Sequence, residues 1–203
     1  MILALLIFLF PLAYSPGPGN AFFAAIGASK GVRAAVPSLV GYHVATLVVT
    51  AAIGLGMGVT VLEHPLFAKV LSVVGSLYVS WLAVTFLRTG PSEGDAAVGA
   101  APSGRQRIGF RAGALVLLLN PKAYYIIAVM FTQFLRAPAD PATVLVITVV
   151  FTLNNLIAFL SWTLGSRALT VLFRGERSKR WLDRLFATAL IGVAVWMALP
   201  LFS

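Results

Sequence analysis

Two short clusters in this 203-residue chain place helix-breaking residues beside residues that bind charge. In the first, Ser15-Pro16-Gly17-Pro18-Gly19-Asn20, four consecutive residues oppose a helix. Proline inside a helix costs about 3 kcal/mol and removes a backbone donor, and glycine costs about 1. In the second, Asn120-Pro121-Lys122, a proline stands between an amide and an ammonium. A broken helix leaves carbonyls and amides without intrahelical partners, and its N-terminal ends attract anions. A lysine beside such a break adds a charge that needs a partner, either the freed carbonyls or the carboxylate of a bound solute. The chemistry on offer is reversible binding, and Pro16, Gly17, Pro18, Asn20, Asn120, Pro121 and Lys122 are the candidate binding residues.

Three further residues join them. Asn154 and Asn155 are paired amides in an otherwise apolar run, and must bond across helices or line a cavity. His43, in Gly41-Tyr42-His43, is the candidate proton carrier, because imidazole titrates near neutral pH. A lone histidine is more often a satisfied hydrogen-bonding residue. Here its standing improves because none of the six acidic residues falls deep in an apolar run. The chain has no cysteine, which excludes disulfides, thiolate metal sites and cysteine nucleophiles. No metal site and no cofactor is expected.

The elements that must position these residues are set by composition. Hydrophobic residues make up 60% of the chain and charged residues 10%, with a mean hydropathy of +0.95. Soluble domains carry about 25% charged residues, so this is the membrane class. About 20 apolar residues span the hydrocarbon layer. Six stretches qualify, roughly 2–28, 36–62, 66–87, 109–135, 142–165 and 185–202. The first fourteen residues could pass for a signal-peptide core, but no basic residue precedes them and apolar sequence resumes through Ala28, so they read as a retained first helix. Lys122 falls near the middle of its span, where an ionised lysine costs about 2.5–3.5 kcal/mol on insertion scales.

The expected fold is an all-α membrane protein of six transmembrane helices in two inverted three-helix repeats, with helices one and four broken. Residues 1–87 form the first repeat, 88–108 a Gly/Ala/Pro/Ser-rich cytoplasmic linker, and 109–203 the second repeat. Orientation follows from the basic residues. With both termini outside, inner loops and flanks hold twelve of them and outer ones hold only Lys69 and Arg136. Three helices per half inverts the second half, an arrangement common in transporters. The paired proline interruptions and the openings Leu66-Phe67-Ala68 and Leu185-Phe186-Ala187 are consistent with it. Ser72, Ser76 and Ser80, Gly41 with Ala45, and Ala52 with Gly56 read as helix-packing positions. The run Arg174 to Arg184, with Trp181, reads as a patch for anionic lipid rather than for nucleic acid.

At the level of motifs the sequence resembles the LysE/RhtB family of amino-acid exporters. The resemblance rests on Pro16-Gly17-Pro18, on Lys30-Gly31-x-Arg33-Ala34-Ala35 leading to Gly41, and on Pro65-Leu66-Phe67. It continues with Gly75-Ser76-Leu77-Tyr78 before Trp81, Phe110-x-x-Gly113, Asn120-Pro121-Lys122-Ala123 and Gln133-Phe134. It implies a multi-pass exporter of amino acids or related metabolites in the bacterial inner membrane, driven by proton exchange. The partners it implies are a small-molecule substrate and protons, with a second copy of the chain as an open alternative. Two departures stand out. Gly19 follows the Pro-Gly-Pro where the family often has Asn or Asp, and His43 stands where some exporters of basic amino acids carry an acid. Without an intramembrane carboxylate, a neutral substrate is favoured over a cationic one.

Rival classes fare less well. A glycosidase- or phosphotransferase-like site needs paired acids, and no span contains any. A serine hydrolase needs a nucleophile elbow, which is absent. A channel or scaffold, and a metal exporter of related type, remain alternatives, the latter weakened by two histidines, four methionines and no cysteine.

Overall fold

A computed structural model describes residues 1–57, 65–88, 109–135, 140–172 and 176–198. All secondary structure among them is helical: α1 Ile2–Tyr14, α2 Pro18–Lys30, α3 Val32–Gly54, α4 Pro65–Arg88, α5 Phe110–Leu118, α6 Pro121–Phe134, α7 Pro141–Leu172 and α8 Glu176–Ala198. The linker expected at 88–108 lies outside the described residues except for Arg88, and so does Arg174 of the basic run.

The two proline clusters break the chain where the sequence places them. Helices α1 and α2 form one bent pair and α5 and α6 another, each turning by 62°. Pro18 opens α2 and Pro121 opens α6, the position where a missing N–H costs nothing. Helices α3 and α7 are long and apolar enough to cross a membrane, as is each bent pair counted as one span. Helices α4 and α8 carry shorter apolar stretches, Lys69–Val84 and Ala187–Ala198. The protein is therefore a helical membrane protein.

Several boundaries differ from expectation. Helix α3 begins four residues before the apolar run, taking in Arg33, and ends at Gly54. Helix α7 extends to Leu172, past the expected end at residue 165, because nothing in Ser166–Leu172 interrupts it. Gly19 and Asn20 belong to the first turn of α2, so the break itself is Ser15 to Gly17. Gly56 does not pack; it adopts φ +83° with open space around it and closes the turn after α3.

The polarity of the bundle is inverted relative to a soluble protein. Leu3, Ile7, Val48, Leu77 and Leu145 face outward, each more than 60% exposed. Inside lie Asn20, Ser38, His43, Thr46, Thr50, Asn120, Thr148, Thr152, Asn155 and Thr163. A lipid surround explains both halves of this pattern, since lipid accepts the apolar band and cannot satisfy the polar groups. One core cluster draws on all eight helices around Phe22, Phe23, Tyr42 and Phe159, and a second joins α1, α6 and α7 around Leu5, Leu9, Ile127 and Ile147.

Helices α3 and α5 cross at their closest through two glycines. A Cβ on Gly41 would land on the Phe110 carbonyl, and one on Gly113 on the Ser38 carbonyl. The Ser38 hydroxyl donates to the Gly109 carbonyl at 3.1 Å across the same contact. Gly41→Val should therefore cost about 3 kcal/mol or more through overpacking, seen as loss of the monodisperse peak in detergent chromatography. Gly165→Ala, with nothing within 4 Å, should be neutral or gain up to about 1 kcal/mol of helix propensity.

Helix α7 is capped by Asp140. Its carboxylate accepts from the Thr143 hydroxyl at 2.7 Å, the Thr143 amide at 2.9 Å and the Ala142 amide at 3.3 Å. These bonds, the Thr143 hydroxyl foremost, hold the carboxyl below its ordinary value of 3.8. The folded state thus favours the ionised form. The cap is intact above that ordinary value and is lost as pH falls through the lower folded value. Hydrogen exchange at the Thr143 amide should accelerate below about pH 4, and Asp140→Ala should show the fast rate at every pH.

Candidate functional site

Proline disfavours helix in the residue before it, so α1 stops at Tyr14 and Ser15 is extended, with φ −68° and ψ 145°. Gly17 is fully extended, with φ −172° and ψ 177°, before Pro18 starts α2. The second break is tighter. Leu119 turns, and Asn120 caps α6 through its side-chain oxygen, which accepts from the Lys122 amide at 3.1 Å.

Lys122, on the first turn of α6, reaches from the second break into the first. Its Nζ donates to the Ser15 hydroxyl at 2.8 Å, the Ser15 carbonyl at 3.0 Å and the Pro16 carbonyl at 3.3 Å. An ammonium has three donors, and all three are taken up. A Cβ on Gly17 would stand 3.1 Å from both Cδ and Nζ of Lys122, so glycine there lets the lysine stem lie against the backbone. Across the same break Asn20 Nδ2 donates to the Ala13 carbonyl at 2.8 Å, tying the end of α1 to the start of α2.

Two spaces adjoin this lysine. One is a central cavity of about 20 Å³, lined by Asn20, Tyr42, Asn120, Lys122, Asn155 and Phe159 among others. That is room for about one water and none for a larger solute. The other is a more open cleft of about 520 Å³ between α1, α6 and α8, with Ser15, Pro16, Gly17 and Lys122 on one side and Tyr125, Val193 and Trp196 on the other. Gly17 and Lys122 line both spaces, so the lysine and its carbonyl partners form the wall between them. The N-terminal ends of α2 and α6 both open onto the central cavity, adding positive partial charge to that of the ammonium. Among the acids, Asp140 is the one whose side chain is described, and it lies at the start of α7, outside both breaks. The arrangement attracts an anionic group, and a carboxylate could replace the Ser15 and Pro16 oxygens at Lys122.

The expected site residues divide accordingly. Pro16, Gly17, Pro18, Asn20, Asn120, Pro121, Lys122 and Asn155 come together at the two breaks and the central cavity. Asn154 does not line it; its Nδ2 is buried without a hydrogen-bond partner. His43 stands just outside the cavity, its ring 5.7 Å from that of Phe159 and 5.4 Å from that of Tyr42. Its Nδ1 lies 2.7 Å from the Leu39 carbonyl, which assigns the proton of the neutral ring to Nδ1 and leaves Nε2 as an unpartnered acceptor. Ser15, Tyr42 and Phe159 were not anticipated. A serine directly before the proline cluster was a readable signal for Ser15, whereas nothing in Gly41-Tyr42-His43 distinguished a cavity-lining tyrosine from a packing one. Tyr78 and Tyr124 bond backbone carbonyls, of Ala112 at 3.3 Å and Leu118 at 3.1 Å, and serve packing.

The family described as LysE type translocator matches residues 10–200. The chain belongs to this family. It is similar to the homoserine/homoserine lactone efflux protein of Salmonella typhimurium, 24% identical over 189 residues covering 92% of this chain and 90% of that protein. It is likewise similar to the protein of the same name from Salmonella typhi, 25% identical over 190 residues with the same coverage. No solved structure matches. Family membership makes the chain a membrane translocator.

The lysine bridge carries a specific expectation. Gly17→Ala should force the Lys122 side chain to shift by a few tenths of an ångström, loosening its hydrogen bonds and lowering the melting temperature in detergent by about 2–4 °C, the shift of about 1 kcal/mol in a chain of this size. Gly192→Ala, where a Cβ meets nothing within 4 Å, should leave it unchanged.

Proposed function

We propose that this protein exports a small neutral amino acid or a close derivative, of the homoserine type, across the bacterial inner membrane by alternating access. The observation that carries the reading is the Lys122 ammonium held on the freed oxygens of Ser15 and Pro16, at the wall between a one-water cavity and an open cleft. The substrate carboxylate takes those oxygens' place. The N-terminal ends of α2 and α6 then share its charge, while Asn20, Asn120 and Asn155 offer amides to its polar remainder. The names of the Salmonella relatives point to the same solute class. A cationic substrate is disfavoured, because both breaks present positive ends.

The architecture in this reading is six spans in two inverted repeats, 1–87 and 109–203, joined by a cytoplasmic linker at 88–108, with both termini outside. Support comes from which helices pack. A two-fold axis in the membrane plane exchanges α3 with α7 and α4 with α8, and each of these pairs is in contact. It also exchanges the α1–α7 contact with the α5–α3 contact, and both occur. The half-helices break this likeness, since α2 packs extensively on α7 while α6 meets α3 in only a few residues. Two conformations of one repeat, exchanged between halves, would move the opening from one face to the other. Proton exchange supplies the drive, with His43 beside the cavity as the carrier, and the basic run at Arg174–Arg184 rests on anionic lipid.

The test is flux in proteoliposomes loaded with homoserine under an imposed pH gradient. The expected result is saturable efflux in the wild type and loss of at least 100-fold in Lys122→Met, with the variant still present and monodisperse. Wild-type flux in Lys122→Met would refute the site. A large unsaturable conductance would instead establish a channel.

A further inference from the structure

Helices α3 and α7 carry matching polar ladders that start at the proposed binding site, at His43 and Asn155, and continue away from it through threonines the site does not use. On α3 the buried residues His43, Thr46 and Thr50 share one face, and on α7 Thr148, Thr152 and Asn155 do. The two helices pack against each other and run antiparallel. At one end the Phe159 ring lies 4.7 Å from Tyr42 and 5.7 Å from His43; at the other, a Cβ on Gly54 would run into Val144 and the Phe131 ring. Between these anchors the register sets Thr46 and Thr50 level with Thr152 and Thr148 to within a turn. The seam thus runs from the central cavity, at Tyr42 and Asn155, toward the end of the bundle where α3 stops and α7 starts, and Phe131 and Val144 close it on the bare backbone of Gly54.

The ladder is built at a cost. Thr46 and Thr152 turn their hydroxyls back onto the carbonyls of Tyr42 and Thr148, both at 2.8 Å. Thr50 and Thr148 do not; their hydroxyl oxygens have no partner although the residues are 0% and 1% exposed. His43 Nε2, at the cavity end, is also unpartnered. Buried polar groups without partners destabilise a fold, and valine would fill the same space without that cost. Thr50 and Thr148 stand level on one seam, placed to take partners that this conformation does not supply, while the Asn155 backbone stands beside the His43 ring.

We propose that the α3–α7 seam is the second leg of the transport path: when Phe131 and Val144 withdraw from Gly54 it fills with water, and Thr50, Thr148 and His43 Nε2 become its hydrogen-bonding rungs. The solutes that fit are water and small polar molecules passing between the central cavity and that face of the membrane. The inference rests on the exporter reading for its direction but not for its existence.

The chain has no cysteine, so single cysteines can be introduced without background. The probe is the membrane-impermeant 2-(trimethylammonium)ethyl methanethiosulfonate, which reacts with a thiolate to form a mixed disulfide and release methanesulfinate. It requires a hydrated thiol. Ala142→Cys, exposed at the start of α7, identifies the face at which this end of the bundle lies. Thr50→Cys and Thr148→Cys should react from that same face, and Leu153→Cys, on the lipid side and 53% exposed, should not. Failure of both threonine positions to react while Ala142→Cys reacts, or reaction from the opposite face only, overturns the proposal. Thr50→Val and Thr148→Val should melt no lower than the wild type yet lose at least tenfold in flux. A lower melting temperature with flux retained would make the hydroxyls structural and overturn it as well. Labelling needs no known substrate, so a labelled seam without homoserine efflux would refute the exporter reading alone.

Discussion

The structure turns on one charge placed where lipid cannot receive it. Lys122 opens α6 in a bent helix pair apolar enough to cross a membrane as one span, where lipid cannot solvate its ammonium. Its three donors find the Ser15 hydroxyl and the carbonyls of Ser15 and Pro16. Those carbonyls are available only because prolines at 16 and 18 stop α1 and restart α2, releasing backbone oxygens that a continuous helix would have used. The two breaks therefore depend on each other. Without the first, the lysine would be an unpaired charge; without the second, the freed carbonyls would be unsatisfied groups in hydrocarbon, each costing several kcal/mol.

A bond of this kind holds firmly and can still be exchanged. Hydrogen bonds to a charged group contribute about 1.5–3 kcal/mol net, and a carboxylate offers the same ammonium equivalent oxygens together with an opposite charge. A carboxylate at Lys122 would release the Ser15 and Pro16 oxygens, which the solute's own ammonium or hydroxyl donors, or water, would then have to meet. The position of Lys122 between the one-water cavity and the wider cleft makes the same exchange a change of shape, because the lysine is the wall that separates them. Close glycine contacts elsewhere, Gly41 on the Phe110 carbonyl and Gly113 on the Ser38 carbonyl, bring the backbones of α3 and α5 into direct contact.

Polar side chains are distributed by the same rule. Ser38, Thr46, Thr152, Thr163 and Ser166 bond to backbone carbonyls and so satisfy themselves in the interior. Thr50, Thr148, His43 Nε2 and Asn154 Nδ2 do not. Among the described residues these exceptions fall on α3 and α7, which pack against each other.

Much of this was legible in the residues. Composition alone required a membrane protein, since 10% charge cannot clothe a soluble surface. The proline clusters marked both breaks, because Pro and Gly act through the local backbone and need no neighbour to do so. Lys122 was marked by depth, a one-dimensional property. What the chain order could not convey was partnership. That Lys122 meets Ser15 and Pro16, over a hundred residues away, that Tyr42 and Phe159 close the cavity, and that Asn155 joins it while Asn154 does not, all depend on how helices rotate and cross. A rotation of one residue, about 100° on a helix, exchanges an inward amide for an outward one, and only packing against the neighbouring helices selects between them.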